Sequence, residues 1–133
     1  MYGGAVPDAM LAMVKILGSM WDEKGSVSIS GLFLVENSNL EFTEAQLRAD
    51  SGLLPSTLLI GTGPILPRLW TKPSLTLIGL DYPSVALSSN TLVPSLRAKL
   101  SLRIAPGDAP ERALEALKAH IFCLLYTSDA ADE

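Results

Sequence analysis

Few side chains in this sequence have the chemistry to grip or transform a ligand, and the most suggestive is Arg103. It closes a run in which Leu96, Ala98, Leu100, Leu102 and Ile104 alternate with Arg97, Lys99, Ser101 and Arg103. Such alternation predicts a strand with one buried and one polar face, Arg103 lying on the polar side. A planar guanidinium donates two parallel hydrogen bonds to a carboxylate, so the type suits recognition of an acidic end-group. By position alone, Arg103 reads as a solvated strand-face arginine like Arg97. Asn90 and Thr91 precede the same strand. By position alone they satisfy the turn that Ser88-Ser89-Asn90 suggests.

The remaining candidates are weaker. His120 is the single histidine, with no companion ligands at metal-binding spacing, and reads as a surface or dipole-compensating residue near the end of a helix. Glu111 and Glu115 lie one helical turn apart and read as a solvated face. Gly3-Gly4 would allow close backbone approach at a helix entrance, while neither this pair nor Gly61-Thr62-Gly63 sits in a strand–glycine–helix phosphate fingerprint. Met10, Met13, Met20 and Trp21 read as core and dimer contacts. Cys123 is the single cysteine, which excludes an internal disulfide.

These residues must be positioned by one domain, since the chain has 133 residues, 48% hydrophobic and 18% charged. No apolar run approaches the ~20 residues that span a bilayer, and no basic leader opens the sequence. The formal net charge of −4 offers no basic footprint for nucleic acid. Residues 123–133, Cys-Leu-Leu-Tyr-Thr-Ser-Asp-Ala-Ala-Asp-Glu, resemble a translated transposase-type sequencing adapter and are set aside from fold reasoning. Without them the chain carries ten basic and eleven acidic residues and no cysteine, which is compatible with a cytoplasmic location.

Along the chain, Pro7-Asp8 opens a helix whose stripe is Met10, Met13, Val14, Leu17 and Trp21, and Gly25 is expected to end it. Val27, Ile29 and Leu32 suggest a short strand. Residues 36–70 read as an insertion. It begins with the loop-like Glu36-Asn37-Ser38-Asn39 and contains a short helix with a Thr43/Gln46 capping box, closed by Gly52. Residues 65–70 suggest a helical turn limited by Pro67. Strands follow at 74–80 and 93–104. The Asp108/Glu111 pair then caps a last helix with a Leu114, Leu117 and Ile121 stripe. The predicted class is α+β: a partial ferredoxin-like two-layer sandwich, an antiparallel sheet with two helices on one face, plus a small helical insertion.

Three motifs in this order carry a resemblance. Tyr2-Gly3-Gly4-Ala5-Val6-Pro7-Asp8-Ala9-Met10 resembles the opening of the first lid helix in carnosinase-like dipeptidases of metallopeptidase family M-twenty. Leu69-Trp70-Thr71-Lys72-Pro73-Ser74-Leu75-Thr76-Leu77-Ile78-Gly79 resembles their Trp-x-x-Pro-Ser-Leu strand. Asn90-Thr91-Leu92-Val93-Pro94 and Leu102-Arg103-Ile104-Ala105-Pro106-Gly107 resemble their substrate-binding strand and its turn.

The resemblance implies that residues 1–122 are a dimerisation, or lid, domain inserted in a catalytic domain that carries two zinc ions. None of those ions is expected to be bound by these residues, and the domain alone is expected to be inactive. Met1 is expected to be internal, because relatives place a His-Ser-Gly before the Gly-Gly pair. The implied partners are a second subunit and a dipeptide or N-acyl amino acid substrate, its carboxylate held by Arg103. Many relatives have one more residue between proline and arginine than separates Pro94 from Arg103, so Asn90 and Thr91 both remain open as the second substrate contact. A freestanding α+β binding or homodimerisation module, and a deacylase or desuccinylase of the same family, are the competing expectations.

Overall fold

The computed structural model describes residues 3–36 and 40–129, with side chains described as far as residue 125. The Tyr2 end of the first motif, the loop expected at Asn37-Ser38-Asn39 and the last four adapter-like residues lie outside that range.

Helix α1 spans Ala9–Gly18, and the Asp8 carboxylate accepts from Leu11 N at 2.6 Å as its N-cap. It ends earlier than the sequence pattern suggests. Ser19 closes it in a right-handed conformation, and its N–H is shared among three carbonyls of the last turn. Gly25, expected to end this helix, instead forms the tip of a tight reversal. Met20 O accepts from Ser28 N at 2.8 Å, Asp22 N donates to Ser26 O at 2.9 Å, and Asp22 Oδ1 accepts from both Lys24 N and Ser26 N. That carboxylate bends the chain as an Asx turn does. The strand expected over 27–32 is therefore reduced to one bridge, Trp21 opposite Val27.

Helix α2, Glu44–Ser51, has the full capping box: Gln46 N donates to Thr43 Oγ1 at 3.2 Å, and Thr43 N donates to Gln46 Oε1 at 3.0 Å. Gly52 ends it in the left-handed region. Residues Pro67–Thr71 make a wide π-type turn that leads into β1, Ser74–Asp81. Strand β2, Arg97–Arg103, is shorter than the 93–104 expected; residues 93–96 belong to the connection. Helix α3 spans Pro110–Asp129.

The two strands pair antiparallel, Ser74 opposite Arg103 and Asp81 opposite Arg97, with a bulge between Leu77 and Gly79. Burial along β2 alternates without a break, as its sequence predicts. Met20, Ile29 and Leu75 form the buried centre, and Ile16, Leu17, Leu100, Leu102, Leu117 and Ile121 pack around it. This is the expected α+β layering, with two helices against one face of the sheet.

The helix stripes are rotated from those read in the sequence. Val14 and Leu114 are exposed, whereas Ile16, Ala113 and Ala116 turn inward. On α3, Leu117 and Ile121 pack as expected, and Ala113 and Ala116 join them in place of Leu114, their small side chains letting the helix backbone approach closely. Asp108 does not pair with Glu111. Its nearly covered carboxylate accepts from Phe33 N at 3.2 Å and from Arg112 Nη1 at 3.3 Å. Arg112 also donates to Gly31 O and lies 4.1 Å over the Phe33 ring. That knot ties the 31–36 segment to the start of α3.

Candidate functional site

Arg103 is exposed at the last position of β2, on the polar face together with Arg97, Lys99 and Ser101. Opposite this row stand Asp81, Gly79, Thr76 and Ser74. Arg97 is spent on an ion pair with Asp81 at 3.2 Å. Arg103 has a different partner: its Nη2 donates to the main-chain carbonyl of Arg68 at 3.2 Å. One nitrogen of the guanidinium is thereby anchored to the Pro67–Thr71 turn, and the group stays accessible at the strand end.

Two further cations, Arg68 and Lys72, gather at that turn, and composition alone did not single them out. Arg68 Nη2 donates to Gly63 O at 2.5 Å and its Nη1 to Ile60 O at 3.4 Å, while its Nε is buried without a partner. Lys72 Nζ donates to Thr62 O at 2.7 Å and lies 3.4 Å from Glu36 Oε1. The sequence signal for them was their spacing: two long cations one helical turn apart, just before Pro73. Their shared task is to hold the Gly61-Thr62-Gly63 segment. That segment turns its carbonyls toward the cations, the opposite of a phosphate cradle, which presents N–H groups.

The same segment closes a cleft of about 290 Å³ lined by Trp21, Val27, Leu34, Ile60, Lys72 and Leu75, among others. Gly61 N donates to Lys24 O at 2.6 Å, which fastens the cleft's two sides. Ser74, the strand partner of Arg103, lies on its rim.

Asn90 and Thr91 lie elsewhere. Both are exposed on the β1–β2 connection, where Thr91 N approaches Ser89 Oγ at 3.4 Å. Nearby, Ala9 N donates to Val93 O at 3.1 Å, tying this connection to the start of α1. The connection enters β2 at Arg97, whereas Arg103 is at the other end. Seven residues of antiparallel strand extend roughly 20 Å, so the connection joins β2 at the end opposite Arg103.

Other candidates resolve into structural roles. His120 Nε2 pairs with Ser19 Oγ at 2.8 Å. Glu115 is exposed and meets Lys118 at 3.6 Å. A side chain at Gly3 or Gly4 would meet nothing within 4 Å among the described residues, so no close approach is seen there. Met20 is fully buried and Trp21 packs on the core. Cys123 is exposed. Among the described residues, no three His, Cys, Asp or Glu side chains cluster as metal ligands, and no helix is long and apolar enough to cross a membrane.

The pattern of the peptidase dimerisation domain matches residues 1–122. The cysteinylglycine-S-conjugate dipeptidase of Corynebacterium striatum is 31% identical over 120 residues, covering 88% of this chain and 26% of that protein. The Cys-Gly metallodipeptidase DUG1 of Saccharomyces cerevisiae is 28% identical over 130 residues, covering 90% of this chain and 27% of that protein. The chain thus spans about a quarter of the length of these curated relatives. Among solved structures, the yeast di-peptidase Dug1p superposes with a TM-score of 0.73 at 24% identity, over 96% of this chain and 29% of that one. Human carnosine dipeptidase 1 superposes with a TM-score of 0.71 at 19% identity, over 96% of this chain and 30% of that one.

Proposed function

This chain belongs to the peptidase dimerisation domain family, and from that footing we propose that it is the lid of a larger metal-dependent dipeptidase. In this reading the lid joins two subunits and presents Arg103 to the free carboxylate of a dipeptide. The observation that carries it is the state of Arg103. Its guanidinium is exposed at a strand end, held by one nitrogen to a main-chain oxygen, and among the described residues it pairs with no carboxylate, unlike Arg97. A guanidinium so anchored suits two-point recognition of a carboxylate.

We assign two zinc ions to sequence that flanks the lid in the whole enzyme, because the described residues offer no cradle for them. Such ions polarise a scissile carbonyl and activate a water when bound. The lid's own part is to orient: Arg103 fixes one end of the substrate so that its amide is aligned for attack. Asn90 or Thr91 acts at the far end of β2. Its ligand is accordingly the substrate of the other subunit, the dimer placing each lid over its partner's site. A cytoplasmic enzyme fits the lack of cysteine in residues 1–122.

The test is Arg103→Ala in the full-length enzyme, assayed on a dipeptide and on the same dipeptide with an amidated C-terminus. We expect kcat/KM for the free acid to fall about a hundred-fold, the size of a lost charge-assisted pair, with far less effect on the amide. Equal losses on the two substrates would reject the assignment. A panel of N-acyl amino acids run beside dipeptides separates a dipeptidase from a deacylase of the same family.

A further inference from the structure

Arg68 takes part in two contacts that no local pattern links. Its main-chain carbonyl accepts from Arg103 Nη2 at 3.2 Å. Its side chain grips the 60–63 segment, Nη2 donating to Gly63 O at 2.5 Å and Nη1 to Ile60 O at 3.4 Å. The carbonyl belongs to a wide turn closed by Lys72 N on Pro67 O at 2.7 Å, and it lies one residue inside that closing bond. A main-chain oxygen inside so wide a ring is steered by whatever holds its residue, and here that is the Arg68 side chain. The grip is not arranged for stability alone. Among the described residues, Arg68 Nε is buried without a partner, a state that costs free energy and that a methionine in its place would avoid. The two carbonyls it holds are bonded at the exposed surface, where water can serve them equally well.

We propose that Arg68 is a positioning residue for Arg103. Through its grip on Ile60 O and Gly63 O it fixes the direction of its own carbonyl, and through that carbonyl the direction of the donors left on the Arg103 guanidinium. A long side chain left free would lose rotamer entropy on gripping a ligand; one already tethered loses less. Lys72 steadies the same segment from the end of the turn, donating to Thr62 O at 2.7 Å. The inference rests on the reading of Arg103 as the carboxylate-binding group.

The test uses full-length enzyme in four forms: wild type, Arg68→Met, Arg103→Ala and the double variant, each assayed on a dipeptide and its C-terminal amide. Arg68→Met keeps the stem of the side chain and removes every donor. KM for the free acid is expected to rise about ten-fold with little change in kcat, and KM for the amide to hold. On the Arg103→Ala background, Arg68→Met is expected to add nothing. Arg68→Lys, which keeps a donor for the same carbonyls, is expected to recover most of the loss. Gly61→Ala loosens the grip from the other side, since its Cβ would stand 3.3 Å from Arg68 Cδ at φ +83. The same rise in KM is expected there, and this variant decides the matter if Arg68→Met fails to fold. Wild-type KM for the free acid in Arg68→Met, or in Gly61→Ala where it stands in, overturns the proposal. So does an undiminished effect of either in the absence of Arg103. Failure of Arg103→Ala to distinguish acid from amide instead overturns the underlying reading of Arg103.

Discussion

The hydroxyl of Ser19, the residue that closes α1, lies 2.8 Å from Nε2 of His120 on α3. The same hydroxyl donates its one proton to Ile16 O at 2.7 Å, so the proton in the second bond must come from His120. His120 is therefore protonated on Nε2 and joins the two helices over the sheet. His120→Ala should cost about 1 kcal/mol of unfolding free energy, the usual worth of one such bond. Ser19→Ala should cost a similar amount, and the double variant less than the sum of the two. Urea denaturation of the full-length protein measures this, and strict additivity would show that the bond contributes nothing.

Gly25 takes φ +86, and a Cβ there would sit 2.7 Å from Ile60 Cβ. Both the backbone region and the close approach demand glycine. Gly25→Ala is expected to destabilise by about 1–3 kcal/mol. It should also speed hydrogen exchange at Gly61 N, whose bond to Lys24 O depends on that approach. Unchanged exchange at Gly61 would show that the two segments are not fastened there.

Asp108 satisfies Phe33 N and Arg112 with a side chain only 1% exposed. Removing it takes the acceptor from Phe33 N and the carboxylate from Arg112, so Asp108→Ala should cost about 1–2 kcal/mol. Asp108→Asn keeps an acceptor for Phe33 N and should cost less. Thermal unfolding of the two variants ranks them, and the reverse order would reject this account.

Residues 1–122 on their own should melt broadly and aggregate as concentration rises. A two-stranded sheet is marginal without more strands or better cover, and here Leu77, Ile78 and Leu80 remain exposed. A sharp, reversible transition in a monomer would contradict this.

Much of the site's frame was legible in the sequence. Strict alternation from Arg97 to Arg103 gave both the strand and the side on which Arg103 stands, because a period of two has a single structural meaning. The Thr43/Gln46 box was legible because its bonds are local. What escaped was tertiary. Helical periodicity shows that a stripe exists but not which one a neighbour will cover, and so Val14 and Leu114 were misplaced. The Val27–Leu32 strand failed because its alternation was matched by no long partner, only by the reversal that Asp22 imposes. The spacing of Arg68 and Lys72 marks them as a pair, but not what they hold, because most of their partners are carbonyls.

The irregularity at Ile78 reverses which parity of β1 shares a face with the apolar residues of β2. Before it, odd-numbered Leu75 and Leu77 stand opposite Leu102 and Leu100; after it, even-numbered Leu80 stands opposite Ala98. A residue count carried straight along β1 would put Leu80 on the face shared by Arg97 and Lys99 and Asp81 on the opposite one. One uncounted amino acid instead delivers Asp81 to Arg97, neutralising the charge at that end of the strand, while Arg103 at the other end has no carboxylate partner among the described residues.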